Sequence, residues 1–448
     1  MLKYLNLGIC TIAGVAVAFA ARVPRVDNVS ISQDDTTKLV TISYSLLDAP
    51  GVVTFDIQTN VSEGVWVSVG GNALSCAYGE VNRYVELKDV SHRIFWMPNR
   101  LAPEISFEPG AVRAVLTAWP EEAPPDYMVI DLNTDRVEGD TSSLLSKHTF
   151  YPDESYFPGG ISNRVYKTEK LVMRRIPVSK DIKWVMGQEN LKNATPHYVT
   201  LTNSFYMGIY EMTFRQWENL CGGVPGTIVK YFYTNFTDNA ELPMSGIDFI
   251  EVRGSIDGAN WAAGVDPVTR RKVSANYSSW PTPLHRLRVR TGILFDLPTE
   301  AQWEYACRAG ESSAFNNGEV ATAAACNEIA WYNGNSSAIT KYGEEILSLH
   351  PVGTKGAPNR WGLYDMHGNA SELCLDIWED DLGTGDALEP VGAAKPSSGS
   401  TYRLVRGGNA ESAYGNCQSG FRTYKNVSAH GIYNGLRVVC PYPVNLNW

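Results

Sequence analysis

A glycine-rich stretch in the last tenth of the sequence, RGGNAESAYGNCQSGFR from Arg406 to Arg422, contains a single thiol at Cys417. A cysteine thiolate is a nucleophile and a ligand for soft metal ions. The surrounding residues are mostly Asn, Tyr, Ser, Ala and Gly, which are typical of binding loops because Tyr offers contact area at low entropy cost. The stretch is therefore predicted to be an active site, half of one, or a binding surface. The surface residues that we predict are Asn409, Ser412, Tyr414, Asn416 and Tyr424.

A second stretch, DMHGNASE, places two carboxylates and two small residues in one loop. Ca²⁺ takes six to eight oxygen ligands, which the carboxylates of Asp365 and Glu372 could supply together with the carbonyl groups of Gly368 and Ala370. His367 is expected to be a turn residue, because calcium prefers oxygen to nitrogen. The spacing alone leaves open the alternative that these polar residues only cap turns.

The remaining cysteines and histidines form no recognisable metal motif. Seven cysteines follow Cys10, so at least one thiol stays unpaired within a monomer. No CxxC occurs, and the seven histidines never form HxxxH or HExxH, which argues against zinc or a histidine-rich iron site. Some cysteines could pair in an oxidising compartment, although sequence does not give their connectivity.

The elements that position these residues belong to a chain of 448 residues, which is long enough for two or three domains. Hydrophobic residues make up 44% and charged residues 19%, as in ordinary globular proteins. The formal net charge of −10 argues against nucleic acid and anionic lipid as partners, since both favour clustered Lys and Arg.

Residues 1–20, MLKYLNLGICTIAGVAVAFA, place Lys3 before an apolar run and end in Ala-Phe-Ala. This layout is typical of a signal peptide, and the run is shorter than the ~20 apolar residues that span a bilayer. We therefore expect a secreted, periplasmic or cell-surface protein without a membrane span after cleavage.

Alternation of apolar and polar residues characterises residues 21–120. LVTISYSL puts Val40, Ile42, Tyr44 and Leu46 on one side of a strand, and VTFDIQTNV, VWVSV and RAVLTAW read as further strands. These runs predict a small antiparallel β-sandwich, similar to immunoglobulin or fibronectin domains, without catalytic residues.

A proline-rich stretch, WPEEAPPDYMVIDL, ends this alternation because prolines restrict the backbone and remove hydrogen-bond donors. We predict a linker over residues 121–165 and a second domain over residues 166–448. Two helices of this domain begin with capping-box spacing, at Thr213 and Thr299, each followed three residues later by Gln. We expect the first to end at Gly222 and the second at Gly310.

Four phrases of the second domain occur together, in the same order, in one known family. They are PTEAQWEYACRAG, NRWGLYDMHGNASELCLD, RLVRGGN and GLRVV. The chain thus resembles the formylglycine-generating enzyme, or sulfatase-modifying-factor, family. The resemblance implies one C-type-lectin-like α+β domain with low regular secondary structure over residues 166–448, and it does not cover the β-sandwich. It also implies that DMHGNASE is a calcium loop and makes Asn327 a candidate ligand of a second calcium site.

Enzymes of this family hold Cu(I) between two cysteine thiolates after the phrase RGGS, and the copper activates O₂ to oxidise a substrate cysteine to formylglycine. Counted from Gly408, the serine becomes Asn409, the first copper cysteine becomes Ser412 and the second falls on Cys417. A neutral hydroxyl is a poor ligand for Cu(I), so the resemblance implies an incomplete copper site.

These residues leave three functions open. The first, which we favour, is an exported family member that binds a protein or a small ligand at the C-terminal loop. The second is an active copper-dependent oxidase for sulfatase-type polypeptides, in which Cys417 acts with Cys440 or Cys374 drawn toward it. The third is a lectin-like receptor whose C-terminal loop is diversified, as in phage and bacterial receptors of this domain family. Calcium is the expected cofactor in each case, and copper only in the second.

Overall fold

A computed structural model describes residues 22–98, 110–132, 148–223, 240–253, 264–265, 272–273, 282–318, 320–340, 342–390 and 402–441. The predicted signal peptide over residues 1–20 lies outside these ranges, so export stays a prediction. Within the described ranges, no helix combines the length and the apolar character that crossing a membrane requires.

Strands outnumber helices in the described ranges, and both are numbered in chain order. The strands are β1 Arg25–Gln33, β2 Val40–Leu47, β3 Gly51–Ser62, β4 Val65–Ser68, β5 Ala77–Gly79, β6 Arg83–Val85, β7 His92–Trp96, β8 Val112–Trp119, β9 Tyr127–Asp131, β10 His148–Tyr151, β11 Lys170–Ile176, β12 Trp184–Met186, β13 His197–Thr200, β14 Phe205–Gly208, β15 Gly264–Val265, β16 Lys272–Val273, β17 Ser337–Ile339, β18 Glu345–Leu347, β19 Ser371–Ile377, β20 Ala387–Leu388, β21 Tyr402–Arg406, β22 Thr423–Asn426, β23 Asn434–Gly435 and β24 Val439–Pro441. The helices are α1 Gly70–Leu74, α2 Val165–Thr168, α3 Phe214–Cys221, α4 Phe249–Arg253, α5 Pro283–Thr291, α6 Glu300–Arg308 and α7 Ala323–Ile329.

The first eight strands form two antiparallel sheets around one apolar core. One sheet has the order β1-β2-β7-β5, and in the other β3 pairs with β4, β6 and β8. The alternation predicted for β2 is confirmed, because Val40, Ile42, Tyr44 and Leu46 are buried in that core. An immunoglobulin-like or fibronectin-like topology stays a prediction.

Residues 121–165 are not a linker in their described part, and this prediction is wrong. β9 pairs with both β10 and β11 in a five-stranded sheet of order β10-β9-β11-β14-β24. The prolines therefore mark only the approach to β9, whereas the apolar residues after them form a strand. β9 and β10 therefore share one sheet with β11, β14 and β24, and the predicted bounds 166–448 of the second domain stay a prediction.

The five-stranded sheet is buried on both faces. In β9, Met128 and Ile130 contribute to one apolar core, whereas Tyr127 and Val129 contribute to a second one. Because side chains alternate across a strand, a sheet between two cores needs apolar residues at successive positions. Helices α3, α4 and α5 supply residues to the first core, and α6 supplies residues to the second.

Both predicted capping boxes are confirmed, at Thr213 for α3 and at Thr299 for α6. Helix α3 ends as expected at Gly222, which has a φ of 73°. Helix α6 ends one residue earlier than predicted, because Ala309 takes the left-handed conformation with a φ of 46°.

A four-stranded sheet of order β22-β21-β19-β23 carries both candidate functional stretches. DMHGNASE runs into the start of β19, and the glycine-rich stretch leaves the end of β21. β19 and β21 are antiparallel neighbours, with Glu372 opposite Arg406. The start of one strand therefore lies beside the end of the other, and the two stretches meet.

Candidate functional site

Backbone hydrogen bonds connect the two stretches directly. The Gly368 amide donates to the Gly407 carbonyl at 2.8 Å, and the Ala410 amide donates to the Asn369 carbonyl at 2.9 Å. The loops that precede β19 and follow β21 thus form one structure, which we call the paired loops (residues 365–370 and 407–417).

Gly408 allows the second of the paired loops to pack against Cys417. Its φ is 71°, and a Cβ at this position would lie 2.7 Å from both the Asn416 carbonyl oxygen and the Cys417 sulfur. A side chain is excluded by the backbone conformation and by this contact. Gly408 therefore allows close packing around a buried sulfur.

The Ser412 hydroxyl is engaged within its own turn. Its oxygen accepts a hydrogen bond from the Asn409 amide at 3.0 Å and lies 3.2 Å from the Asn409 side-chain oxygen. The Asn409 side-chain amide in turn donates to the Ser371 hydroxyl at 2.9 Å. Ser412 and Asn409, both half-buried, therefore hold the turn to the start of β19.

Cys417 is fully buried, and its sulfur donates a weak hydrogen bond to the Ala413 carbonyl at 3.9 Å. The Cys326 thiol on α7, together with burial, raises the pKa of Cys417 well above its usual value. Both cysteines lie in one apolar cluster with Phe315, Ala325, Ala330 and Tyr332. Cys417 is therefore held as a protonated thiol, without exposure to a substrate in solution.

The prediction that Cys440 or Cys374 approaches Cys417 is wrong. Cys374 belongs to the apolar core that includes Tyr127, and Cys440 belongs to the core that includes Met128. Sequence reasoning did not single out Cys326, which lies in the same apolar cluster as Cys417. The available signal was weak, because Cys326 lies 91 positions before Cys417 in a short alanine-rich helix.

His367 is more than the turn residue that we predicted, since it connects three segments. Its Nε2 accepts a hydrogen bond from the Asn316 amide at 3.2 Å and lies 3.7 Å from the Cys307 sulfur. Its Nδ1 lies 2.6 Å from the Cys417 carbonyl oxygen, which requires the proton on Nδ1. Burial lowers the pKa of His367 to about 4, so the neutral ring ties the paired loops together at neutral pH.

Acidification should therefore destabilise the protein through His367. A histidine in the unfolded chain has a pKa near 6.5. Below that pH the unfolded chain therefore binds a proton at His367 that the folded chain does not bind. The stabilising contribution is complete above pH 6.5 and is lost as the pH falls toward 4, by about 3 kcal/mol in total. Urea unfolding of the wild type and His367→Asn at pH 7 and pH 5 measures this loss, which should be smaller in the variant. An equal loss in both proteins would assign the acid sensitivity to other groups.

Glu372 has partners that differ from the predicted calcium. Its Oε1 accepts from the Arg437 guanidinium at 2.7 Å, and its Oε2 accepts from the Trp303 indole at 2.6 Å. All three side chains are buried. A calcium ion bound to Glu372 would face a guanidinium at hydrogen-bonding distance, so Glu372 does not fit as a calcium ligand in this arrangement.

The other predicted calcium ligands occupy the same buried polar cluster. Asp365 accepts from the Gly353 amide at 2.6 Å through Oδ2, while its Oδ1 is buried without a hydrogen-bond partner among the described residues. The Ala370 amide donates to Glu211 at 2.8 Å, and burial raises the pKa of Asp365 to about 6. Calcium binding through Asp365, Gly368 and Ala370 stays a prediction.

The weaker calcium candidate, Asn327, is exposed on α7. Its side-chain oxygen accepts a hydrogen bond from the Asn335 amide at 2.8 Å. This contact stabilises the turn after α7 and provides no carboxylate, so the second calcium site also stays a prediction.

Two buried ionic networks support the paired loops. Arg406, at the end of β21, pairs with Glu304 and Glu300 of α6, and Arg422 pairs with Glu300 as well. Glu211, Asp365 and Glu372 surround Arg437 in the second network, where burial raises the pKa of Glu211 well above its usual value. The loops therefore rest on two clusters of buried ionisable groups.

The predicted surface residues are divided between two places. Tyr414 and Asn416 are exposed on the short 3₁₀ turn Tyr414–Cys417, whose last residue is the buried Cys417. Tyr424, on β22, packs against Tyr402 and Trp378. Asn409 and Ser412 contribute to the turn rather than to an open surface.

Residues 177–441 match the family model of the sulfatase-modifying factor enzyme 1-like domain. The chain is similar to chaperone protein LppX of Paenibacillus barcinonensis, at 25% identity over 282 residues that cover 58% of this chain and 90% of that protein. It is also similar to the formylglycine-generating enzyme of Thermomonospora curvata, at 30% identity over 118 residues, or 25% of this chain and 37% of that enzyme. Among solved structures, Treponema denticola variable protein 1 is similar at 23% identity with a TM-score of 0.46, covering 60% of this chain and 95% of that one.

Proposed function

This chain belongs to the family of the sulfatase-modifying factor enzyme 1-like domain, and we propose that it is a binding member without copper-dependent oxidase activity. One observation carries the proposal. The position expected for the first copper thiolate is Ser412, whose hydroxyl already contacts the Asn409 amide and side chain within the turn. A hard, neutral oxygen held in this way is a poor ligand for Cu(I).

The arrangement of the C-terminal loop supports binding. Function in such folds commonly resides on loops that a rigid scaffold positions, and Arg406 and Arg422 anchor both ends of this loop to α6. Between these anchors, Tyr414 and Asn416 face solvent. Tyr and Asn are the residue types that give contact area and adaptable hydrogen bonds at low entropy cost.

A polypeptide is the ligand that we propose. LppX is named as a chaperone, and chaperones act on polypeptides; this chain covers 90% of its length. A polypeptide also suits a protruding turn with an exposed aromatic ring, because such rings provide much of the energy at protein interfaces. Diversification of the loop stays a prediction.

The second candidate function, a copper-dependent oxidase, is favoured by the presence of Cys326 and Cys417 in one apolar cluster. Two neighbouring thiols would be a soft ligand pair for Cu(I), and the bound ion would supply activation of O₂. Both side chains are fully buried, however, among aromatic and alanine side chains. A substrate cysteine would need an opening of this cluster before it could reach the pair.

The oxidase alternative is tested by copper titration together with a peptide assay. We expect the full-length wild type to form no aldehyde from a sulfatase-motif cysteine peptide under Cu(I) and O₂, as followed by mass spectrometry, because Ser412 cannot replace a thiolate. Ser412→Cys is the informative variant, and Cys417→Ala and Cys326→Ala are its controls. Aldehyde formation by the wild type that is lost in Cys326→Ala would establish the oxidase with a rearranged thiol pair.

The binding proposal is tested with a permanently unfolded probe, reduced and carboxymethylated α-lactalbumin, on immobilised full-length protein. We expect Tyr414→Ala to weaken binding roughly tenfold, as truncation of an aromatic anchor does at many interfaces. The matched control is Tyr198→Ala, which removes an exposed tyrosine from β13. Equal binding by both variants would remove the C-terminal loop from the binding surface.

A further inference from the structure

An imidazole and two carboxylates from separate parts of the chain meet at the start of helix α4. Asp248 immediately precedes this helix and Glu251 lies in its first turn, while His430 lies in the loop between β22 and β23. Nε2 of His430 is 3.3 Å from Oε1 of Glu251 and 3.7 Å from Oδ2 of Asp248. All three atoms lie within 4.8 Å of one another. None of these residues belongs to the paired loops or to the proposed binding surface.

The backbone at the start of α4 orients the two carboxylates. The Asp248 amide donates to Oε2 of Glu251 at 3.1 Å, and the Glu251 amide donates to Oδ1 of Asp248 at 2.7 Å. These reciprocal bonds are the pattern of a capping box. One oxygen of each carboxylate is therefore used at the helix start, and the other oxygen of each is the one that lies nearest to His430.

The loop that carries His430 is attached to the same helix. The Phe249 amide donates to the Val427 carbonyl at 3.2 Å, and both side chains are buried in one apolar core. The Ala429 amide donates to the Asn426 carbonyl at 2.9 Å, which closes a turn just before His430. Backbone contacts therefore bring the imidazole to the carboxylates, independently of any attraction between the three side chains.

The two oxygens that approach His430 have no other polar partner in the described ranges. The Asp248 side chain is only 7% exposed, yet neither its Oδ2 nor Oε1 of Glu251 accepts a hydrogen bond from a described residue. Within the same ranges, His430 is the only ion-pair partner of either carboxylate. A buried carboxylate oxygen costs free energy unless a hydrogen bond or a cation satisfies it. The charge balance of the cluster therefore favours a bound cation.

The ligand types and their spacing select the class of cation. An imidazole nitrogen with carboxylate oxygens suits Zn²⁺, whereas Ca²⁺ and Mg²⁺ take oxygen ligands. Two ligands placed ~2.0 Å from a tetrahedral zinc ion lie ~3.3 Å apart. The distances of 3.3 Å and 3.7 Å from Nε2 of His430 are close to this value. His430 is 39% exposed, so water can reach a fourth coordination position.

We propose that Asp248, Glu251 and His430 form a zinc site that joins α4 to the loop between β22 and β23. Three protein ligands and one water molecule complete a tetrahedral shell. The zinc motifs sought in the sequence did not indicate the site, because its ligands come from two distant segments. The ion would fix the loop that follows Tyr424, and this holds whether or not the proposed binding function is correct.

The test is a zinc titration of the full-length protein, first stripped of metal, against a competing chromophoric chelator. The wild type should bind one zinc ion that Glu251→Gln and His430→Ala bind at least about 100-fold more weakly, because outer-shell changes alone cost about 10- to 100-fold. Glu251→Gln keeps an oxygen that accepts from the Asp248 amide, so the start of α4 is retained. The matched control is Glu345→Gln, which removes an exposed carboxylate from β18 and should bind zinc as the wild type does.

Two further measurements on the wild type cover the case in which a variant does not fold. Co²⁺ in place of zinc should give the visible absorption of a tetrahedral site without a sulfur-to-metal band in the ultraviolet, and zinc at 100 times its Kd should raise the melting temperature by about 3–5 °C. Equal zinc affinity in the wild type and both variants would overturn the proposal, as would a sulfur-to-cobalt band. Calcium binding that is lost in Glu251→Gln but kept in His430→Ala would overturn it as well, since the site would then be made of oxygen ligands alone.

Discussion

Arg437→Met should lower the free energy of unfolding by about 3–5 kcal/mol, because it leaves a buried carboxylate without its counter-ion. The Arg437 guanidinium is fully buried and donates to Glu372, to the Gly208 carbonyl at 2.9 Å and to the Tyr364 carbonyl at 2.8 Å. Glu211 and Asp365 also interact electrostatically with this guanidinium. Its removal leaves the buried Glu372 without a counter-ion. Urea unfolding at pH 7 measures the loss.

The matched control is Arg360→Met, which removes an exposed guanidinium that pairs with Glu311 at 2.7 Å. Exposed pairs contribute at most about 1 kcal/mol, so this variant should stay close to the wild type. The double variant Arg437→Met/Glu372→Gln should regain part of the loss, since a neutral amide needs no counter-ion and still accepts from Trp303. A loss below 1 kcal/mol in Arg437→Met would show that the carboxylates take up protons instead.

Gly368→Ala should be destabilising by at least about 3 kcal/mol, which is a large effect for one methyl group. The φ of Gly368 is 76°, and a Cβ would lie 2.1 Å from the Trp331 carbonyl oxygen. That oxygen accepts the Asn369 amide at 2.8 Å, so a shift of Trp331 would break a hydrogen bond at the site itself. Thermal and urea unfolding both report the change.

Gly222→Ala separates the two causes of this loss, which are the left-handed backbone conformation and the close approach to the Trp331 carbonyl oxygen. Gly222, at the end of α3, has nearly the same φ of 73° but has no atom within 4 Å of the position that a Cβ would take. This variant should therefore lose only about 1 kcal/mol, the cost of a left-handed backbone for a residue with a side chain. Equal losses at the two positions would mean that the loop near Trp331 adapts, and that only the backbone conformation matters.

The sequence predicted the elements whose signals are local. Capping-box spacing located the starts of α3 and α6, and alternation located β2, because these patterns depend on residues within a few positions of one another. The strand β9 was missed because its signal is not local. Its continuous apolar run follows three prolines, and only the presence of a core on each face of the sheet explains it.

The candidate site depended on long-range contacts, and prediction was correspondingly less successful. The glycine-rich stretch identified Cys417 and the exposed Tyr414, but nothing near Cys417 indicated Cys326 as its neighbour. Glu372 was assigned to calcium from the spacing of one loop, whereas its arginine partner lies 65 positions later. The sequence around a buried carboxylate does not indicate whether a metal ion or a guanidinium neutralises it.

The position of Arg437 has a consequence for how the protein is made. Glu372 leaves the ribosome well before the arginine that neutralises it, and at ordinary rates of synthesis the 65 positions between them take roughly 3–13 s. During this interval the sheet also lacks its edge strand β24, which pairs with β14. The nascent domain therefore cannot complete its core until translation has passed Arg437. A product that terminates earlier lacks both the strand and the cation, and cellular proteases would remove it as an unfolded chain.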